Sequence, residues 1–195
     1  HGKVLEAISI NEPGLLPGYS LLDDTGKMNL LASVTDVANA ELLSDPVHAD
    51  TLNSVAAVKT IQEYNGAEGC NRYIISQCNS ALNAMEVYGL FLLGGWKKEE
   101  MNIDIVPLFE TVEDLQNAAD VMKALYENET YKKHLQRRGK RQTIMLGFSD
   151  GTKDGGYLMA NWGIYKAKEE LTKISRQYEI DIVFFDGRGG PPARG

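Results

Sequence analysis

From residue 72 onward the sequence alternates short apolar runs with longer amphipathic stretches, and this rhythm narrows the fold more than any other feature. Tyr73–Ser76, flanked by Arg72 and Gln77, reads as a strand; a helical stretch from Ser80 to Leu93 follows and breaks at Gly94–Gly95. Ile103–Phe109 reads as a second strand ending at Glu110. Thr111 and Asp114 then have the spacing of a capping box for a helix running to about Tyr126. Thr143–Phe148 is the third strand, with a helix from about Tyr157 to Tyr178. Ile180–Phe185 is the fourth, leading into Asp186, Gly187, Arg188, Gly189 and Gly190. Strands joined by crossover helices are expected to be parallel neighbours with right-handed connections. Their near-continuous apolarity predicts that both sheet faces are covered. Four such units make half of an eight-stranded β/α barrel or else a compact open sheet; a full barrel takes about 250 residues, and the chain has 195.

Function is expected at the strand tips, because a packed strand fixes a side chain while the loop after it stays open to ligand. The most telling tip is residues 143–156, TIMLGFSDGTKDGG: an apolar run stops at Ser149 and Asp150, and a glycine-punctuated turn carries Lys153 and Asp154 before the helical pattern resumes at Tyr157. With Glu110 on strand two and Asp186 and Arg188 on strand four, acids and cations are predicted at one end of one sheet. Carboxylates on neighbouring parallel tips suit a hard divalent cation such as Mg²⁺ or Mn²⁺, which takes a few carboxylate oxygens and leaves its other positions to water and substrate phosphate. Glu110 and Asp150 are the expected pair. The competing account of Glu110 is an acid favoured by the positive N-terminus of the following helix. Arg188, among glycines, can fork onto phosphate oxygens while the backbone turns N–H groups toward the same anion.

The upstream third is less patterned. Residues 1–20, with Pro13, Gly14, Pro17 and Gly18, read as irregular. Residues 21–64 read as helical hairpins through Val34–Leu43 and Leu52–Tyr64, broken at Ser44, Asp45 and Pro46, with Asp50 as a candidate cap and His48 as a solvated loop residue. The division expected is a lead-in over 1–70 and a barrel segment over 71–195. A net charge of −7 speaks against nonspecific nucleic-acid binding, which needs a basic surface. No run of eighteen apolar residues predicts a membrane span. Cys70 and Cys78 lack the spacing and histidine neighbours of a zinc site, and a reducing, cytoplasmic location is expected. The start at His1 and the end inside a Gly/Pro-rich stretch suggest an internal piece of a longer protein. Lys132–Arg141 is strongly basic and is expected to be a solvated helix end.

Several of these motifs together resemble the phosphoenolpyruvate carboxylase family. MLGFSDGTKDGG, the helix NWGIYKAKEEL and FFDGRGGPPARG resemble its core, and VPLFET (106–111) and RYIISQCNSALNAMEV (72–87) resemble two upstream blocks in the same order. The resemblance covers residues 72–195 well and 1–68 weakly. It implies an α/β fold, a partial (β/α) TIM-type barrel with parallel strands preceded by helical hairpins. It implies the carboxylation of phosphoenolpyruvate by bicarbonate to oxaloacetate and phosphate, feeding the tricarboxylic acid cycle. It further implies Mg²⁺ or Mn²⁺ on Glu110 and Asp150, with Lys153 and Arg188 at the phosphoenolpyruvate site. Arg194 matches a later catalytic arginine, which the family also links to feedback inhibition by aspartate. Bicarbonate would attack the phosphoryl group, giving carboxyphosphate and an enolate of pyruvate, with preorganised positive charge offsetting the charge that develops. The partners implied are the remainder of a parent chain and, for the full-length protein, a homo-oligomer, a tetramer in the family.

Two positions depart from the family pattern: Asp186 stands where many members have histidine, and Arg72 where small residues are common. The family's essential histidine and other arginines have no counterpart among residues 1–195, so the chain by itself is expected to be inactive. Two other readings compete, another metal-dependent barrel enzyme acting on a phosphate-bearing enol acid, and a non-catalytic assembly fragment whose tip acids are only helix caps.

Overall fold

The computed structural model describes residues 1–147 and 149–187, without the side chains of residues 149–152 and 154. Among the described residues, seven α-helices and four strands run in the order α1 (Gly2–Asn11), α2 (Asp24–Ser33), α3 (Pro46–Asn65), β1 (Arg72–Ile75), α4 (Ala81–Leu93), β2 (Asp104–Phe109), α5 (Val112–Glu127), α6 (Glu129–Arg137), β3 (Arg141–Gly147), α7 (Ser149–Gln177) and β4 (Asp181–Gly187). They divide into two compact units, residues 1–71 with 82–103, and residues 72–81 with 104–195. The segment 82–103, which the sequence reading grouped with the barrel segment, clusters with the N-terminal helices. No helix among the described residues is long and apolar enough to cross a membrane.

The first unit is helical and corrects three expectations. Residues 1–20 are not wholly irregular: Gly2–Asn11 is a helix that buries Val4, Leu5 and Ile8, one apolar stripe at helical spacing. Irregular backbone begins only after it. Val34–Leu43 is not an α-helix. Val34 leaves the helical region at ψ 132°, the Ala38 N–H donates to Leu93 O at 2.9 Å, and the Asn39 N–H donates to Glu12 Oε2 at 2.9 Å, so the backbone finds remote partners there and only Ala40–Leu42 closes a short 3-10 turn. Val34 and Ala38 are nonetheless buried, which is why the spacing imitates a helix. Asp50 lies inside α3; the cap is Asp45, whose carboxylate accepts from the Val47 N–H at 2.9 Å with Pro46 in the first turn.

The second unit carries the sheet, with strand order β1-β2-β3-β4 and every neighbouring pair parallel. Arg72 pairs with Asp104, Leu108 with Met145, and Thr143 with Val183. The expected parallel α/β architecture therefore holds, in the arrangement of a partial β/α barrel. α5 starts with the anticipated capping box: Thr111 Oγ1 accepts from the Asp114 N–H, and Asp114 Oδ2 from the Thr111 N–H at 3.0 Å. Its apolar face, Leu115, Ala118, Met122 and Leu125, is buried. Beneath, Gln142 is buried with its needs met, donating to the carbonyls of Ile105 and Thr143 and accepting from Tyr131 Oη at 2.9 Å.

The expectation of two covered faces fails at the outer strands. β2 is buried almost throughout, but in β4 Val183 and Phe185 are 41% and 54% exposed and in β1 Ile74 is 48% exposed. These side chains lie on one face, with Val106 and Thr143 opposite them in register, around a concavity of about 370 Å³. The apolar run recorded strand content, while coverage depends on a second layer that the described residues of this unit do not supply. The basic stretch is also less solvated than expected: His134 is buried, and Arg138 Nε pairs with Asp104 Oδ1 at 2.7 Å.

Candidate functional site

Because β2 and β3 are parallel neighbours, their C-terminal ends fall on the same edge of the sheet. Glu110 follows Phe109, the last residue of β2, and continues the face of Val106 and Leu108. Asp150 follows the end of β3 by three residues and is the second residue of α7. The backbone thus brings the two expected ligand positions to one edge.

The Glu110 side chain has a well-defined setting. Its Oε2 accepts a hydrogen bond from the backbone N–H of Gln77, at the tip of β1, at 3.1 Å. It is not a helix cap, since Thr111 and Asp114 fill that role for α5 and Asp114 Oδ2 also lies 3.4 Å from the Glu110 N–H. On the β3 side, Gly147 comes so close that a Cβ there would stand 3.1 Å from both Cα and Cγ of Glu110. The half-buried carboxylate therefore sits between the tips of β1 and β3, and among the described residues Oε1 carries no hydrogen bond. Its hard oxygens, with a second acid on the neighbouring tip, are the donor type that Mg²⁺ or Mn²⁺ takes when water and substrate complete the shell. No group of three or more potential metal-binding side chains occurs among the described residues.

The turn carrying Lys153 differs from expectation. Residues Ser149–Gly155 are the opening turns of α7, and the helix is broken at Gly156, whose φ of 80° and ψ of 166° suit glycine. The helical pattern thus starts eight residues earlier than the sequence suggested; the glycines in SDGTKDGG mask it. Lys153 is exposed on this first segment. Arg188 and Arg194 lie outside the described residues.

Asp186 is not gathered with Glu110. It follows the opposite side of β4, where both carboxylate oxygens meet Lys168 of α7, Nζ lying 2.7 Å from Oδ1 and 2.8 Å from Oδ2. Lys168 also stands 5.6 Å from the centre of the Phe184 ring. Nothing in the spacing of Lys168 and Asp186 announced this pair, because it joins a helix to the strand after it. The role of Gln77 was equally hidden, since it acts through its backbone.

The fold and this edge define a class, parallel β/α proteins whose acids sit at the C-terminal strand ends. The sequence profile of the phosphoenolpyruvate carboxylase family matches residues 1–195, and the chain belongs to that family. A phosphoenolpyruvate carboxylase from Nocardia farcinica (strain IFM 10152) is 36% identical over 194 residues, covering 93% of this chain and 21% of that protein. The chain thus spans about a fifth of the length of the curated relative it matches.

Proposed function

We propose that this chain is a segment of a longer phosphoenolpyruvate carboxylase, contributing part of the site at which phosphoenolpyruvate and bicarbonate become oxaloacetate and phosphate. The observation that carries the reading is the family match along the whole chain, joined to a Glu110 carboxylate that is oriented by the β1 tip and not used by its own helix. In this reading Glu110 and Asp150 hold Mg²⁺ or Mn²⁺. Lys153, Arg188 and Arg194 act on substrate, Lys153 and Arg188 by binding its phosphate. The cation supplies positive charge against the charge that develops on the phosphate and enolate oxygens. The protein groups do the rest: carboxylates on rigid strand ends fix position, and lysine and arginine neutralise substrate charge without reorganising. The remaining strands of a closed barrel, from elsewhere in the parent chain, would cover the face lined by Ile74, Val183 and Phe185. A cytoplasmic homo-oligomer is the assembly that goes with this reading.

Asp150→Asn in the full-length enzyme tests it. The substitution keeps the size and removes one of two ligand charges, so the variant folds but loses most of its carboxylation rate through weaker metal binding. Near-normal activity at limiting Mg²⁺ would take Asp150 out of the site. Turnover without bicarbonate would instead point to a different enzyme of a phosphate-bearing enol acid.

A further inference from the structure

Gln77 holds an unusual backbone conformation. Among the described residues three besides glycine have positive φ: Gln77 at 52°, Lys140 at 55° and Glu179 at 55°. Lys140 and Glu179 follow the ends of α6 and α7, where a left-handed residue commonly closes a helix. Gln77 follows a strand by two residues, so no helix end accounts for it. Ser76 and Gln77 form a turn at the β1 tip, and a left-handed residue there that is neither glycine nor asparagine is a reason to look for function.

The geometry supplies one. The turn at Gln77 directs its N–H across to Glu110 Oε2 at 3.1 Å, while the next N–H, on Cys78, reaches Leu108 O at 3.4 Å. Two successive donors from the β1 tip are thus spent on the end of β2, one on its backbone and one on the carboxylate just beyond it. Gln77 itself is exposed and its side chain is not needed for either bond.

We infer that Gln77 is a positioning residue for the divalent cation: its left-handed backbone turns the N–H onto Glu110 Oε2, fixing the carboxylate so that Oε1 is left for the metal. The inference rests on the reading of Glu110 as a ligand given above. Partners of ligating groups, although they never touch the ion, typically change metal affinity 10- to 100-fold when lost. What matters at position 77 is then the φ angle and the N–H, not the glutamine amide. A β-branched residue resists the left-handed region, whereas glycine enters it readily and keeps the N–H.

The test is a Mn²⁺ titration of full-length enzyme without substrate, followed by electron paramagnetic resonance, with unfolding midpoints recorded alongside. Gln77→Ile is expected to weaken Mn²⁺ binding about 10-fold or more, with kcat recovering at saturating metal. Gln77→Gly is expected to bind within about twofold of the unsubstituted enzyme, and Glu110→Gln to lose the site. Gln77→Thr carries the expectation of Gln77→Ile should the bulkier side chain prevent folding. Equal weakening in the Gly and Ile variants would overturn the inference by assigning the effect to the glutamine amide. Full affinity in Gln77→Ile beside lost affinity in Glu110→Gln would overturn it while sparing the metal site. Undiminished affinity in Glu110→Gln would remove the metal site and the inference with it.

Discussion

Gly147 and Glu110, the last residue of β3 and the first beyond β2, approach so closely that a single added methyl group on Gly147 would press 3.1 Å from the Glu110 Cα. Since the obstacle is backbone, no rotamer change relieves it. Gly147→Ala is therefore expected to fold with a stability cost of about 1–3 kcal/mol and to displace the Glu110 carboxylate. In full-length enzyme the apparent Mg²⁺ requirement should rise several-fold while the unfolding midpoint moves by only a few degrees. An unchanged metal requirement would show that the close approach is packing alone.

The Lys168–Asp186 pair leads to a second expectation. Both side chains are about one-third exposed, 32% and 34%, so the pair itself contributes about 1 kcal/mol or less to stability. Its proposed consequence is electrostatic, because Asp186 precedes Arg188, the arginine proposed above to bind phosphate, by two residues in the sequence. Lys168→Ala leaves the Asp186 charge unneutralised there, and the KM for phosphoenolpyruvate should rise several-fold with kcat little changed. Adding Asp186→Asn should restore it. A KM indifferent to both substitutions would make the pair a surface contact only.

Much of the second unit was legible in the sequence, and the reasons are specific. The four strands were visible as short apolar runs bounded by polar or glycine residues and separated by helical patterns, and the Thr111–Asp114 box announced α5. Val34–Leu43 misled because Val34 and Ala38 are buried at helical spacing while the backbone N–H groups of Ala38 and Asn39 go to Leu93 and Glu12, partners remote in sequence. The cap Asp45 could have been chosen over Asp50 from Pro46 alone, since proline favours the first helical position. That Glu110 and Asp150 would fall on one sheet edge was readable, because parallel neighbouring strands end on the same side. Gln77 was not, because a backbone N–H has no residue type.

For the chain by itself, the 195 residues are expected to give no oxaloacetate from phosphoenolpyruvate and bicarbonate in a coupled assay, and to bind Mn²⁺ weakly. Two protein carboxylates rely on substrate oxygens to complete the shell, and groups that act as a unit fail together when some are missing. Turnover that survives purification and disappears in Lys153→Ala would make the segment catalytically sufficient.

A pH effect is expected at another carboxylate. Glu86 is buried in the helical unit, where burial pushes its carboxyl above the usual range despite hydrogen bonds from Asn83 and Tyr19 and the nearby cations of the amino terminus and Lys27. Tyr19 Oη donates to Glu86 Oε1 at 3.3 Å, and the Tyr19 phenol is in turn pushed well up by burial and by Glu86. A raised carboxyl favours the protonated native form, so its stabilising effect is present below the ordinary carboxylate range and is lost as pH rises through the raised value. Glu86→Gln should match the unsubstituted chain near pH 4 and exceed it in thermal stability at pH 7.5. A constant difference across that range would exclude Glu86 as the titrating group.

The chain passes between its two units at 71/72, again at 81/82 and again at 103/104. No single scission can therefore dissect them. A cut at 71/72 strips the N-terminal helices of Leu93, whose carbonyl takes the Ala38 N–H, and of Gly89, against which Leu31 packs. A cut at 103/104 instead removes β1 from the sheet and, with it, the Gln77 N–H that holds Glu110. During synthesis β1 must likewise wait for the ribosome to complete 82–103 before its pairing partner exists, so the helical unit gains its last segment before the strand that precedes that segment can be paired.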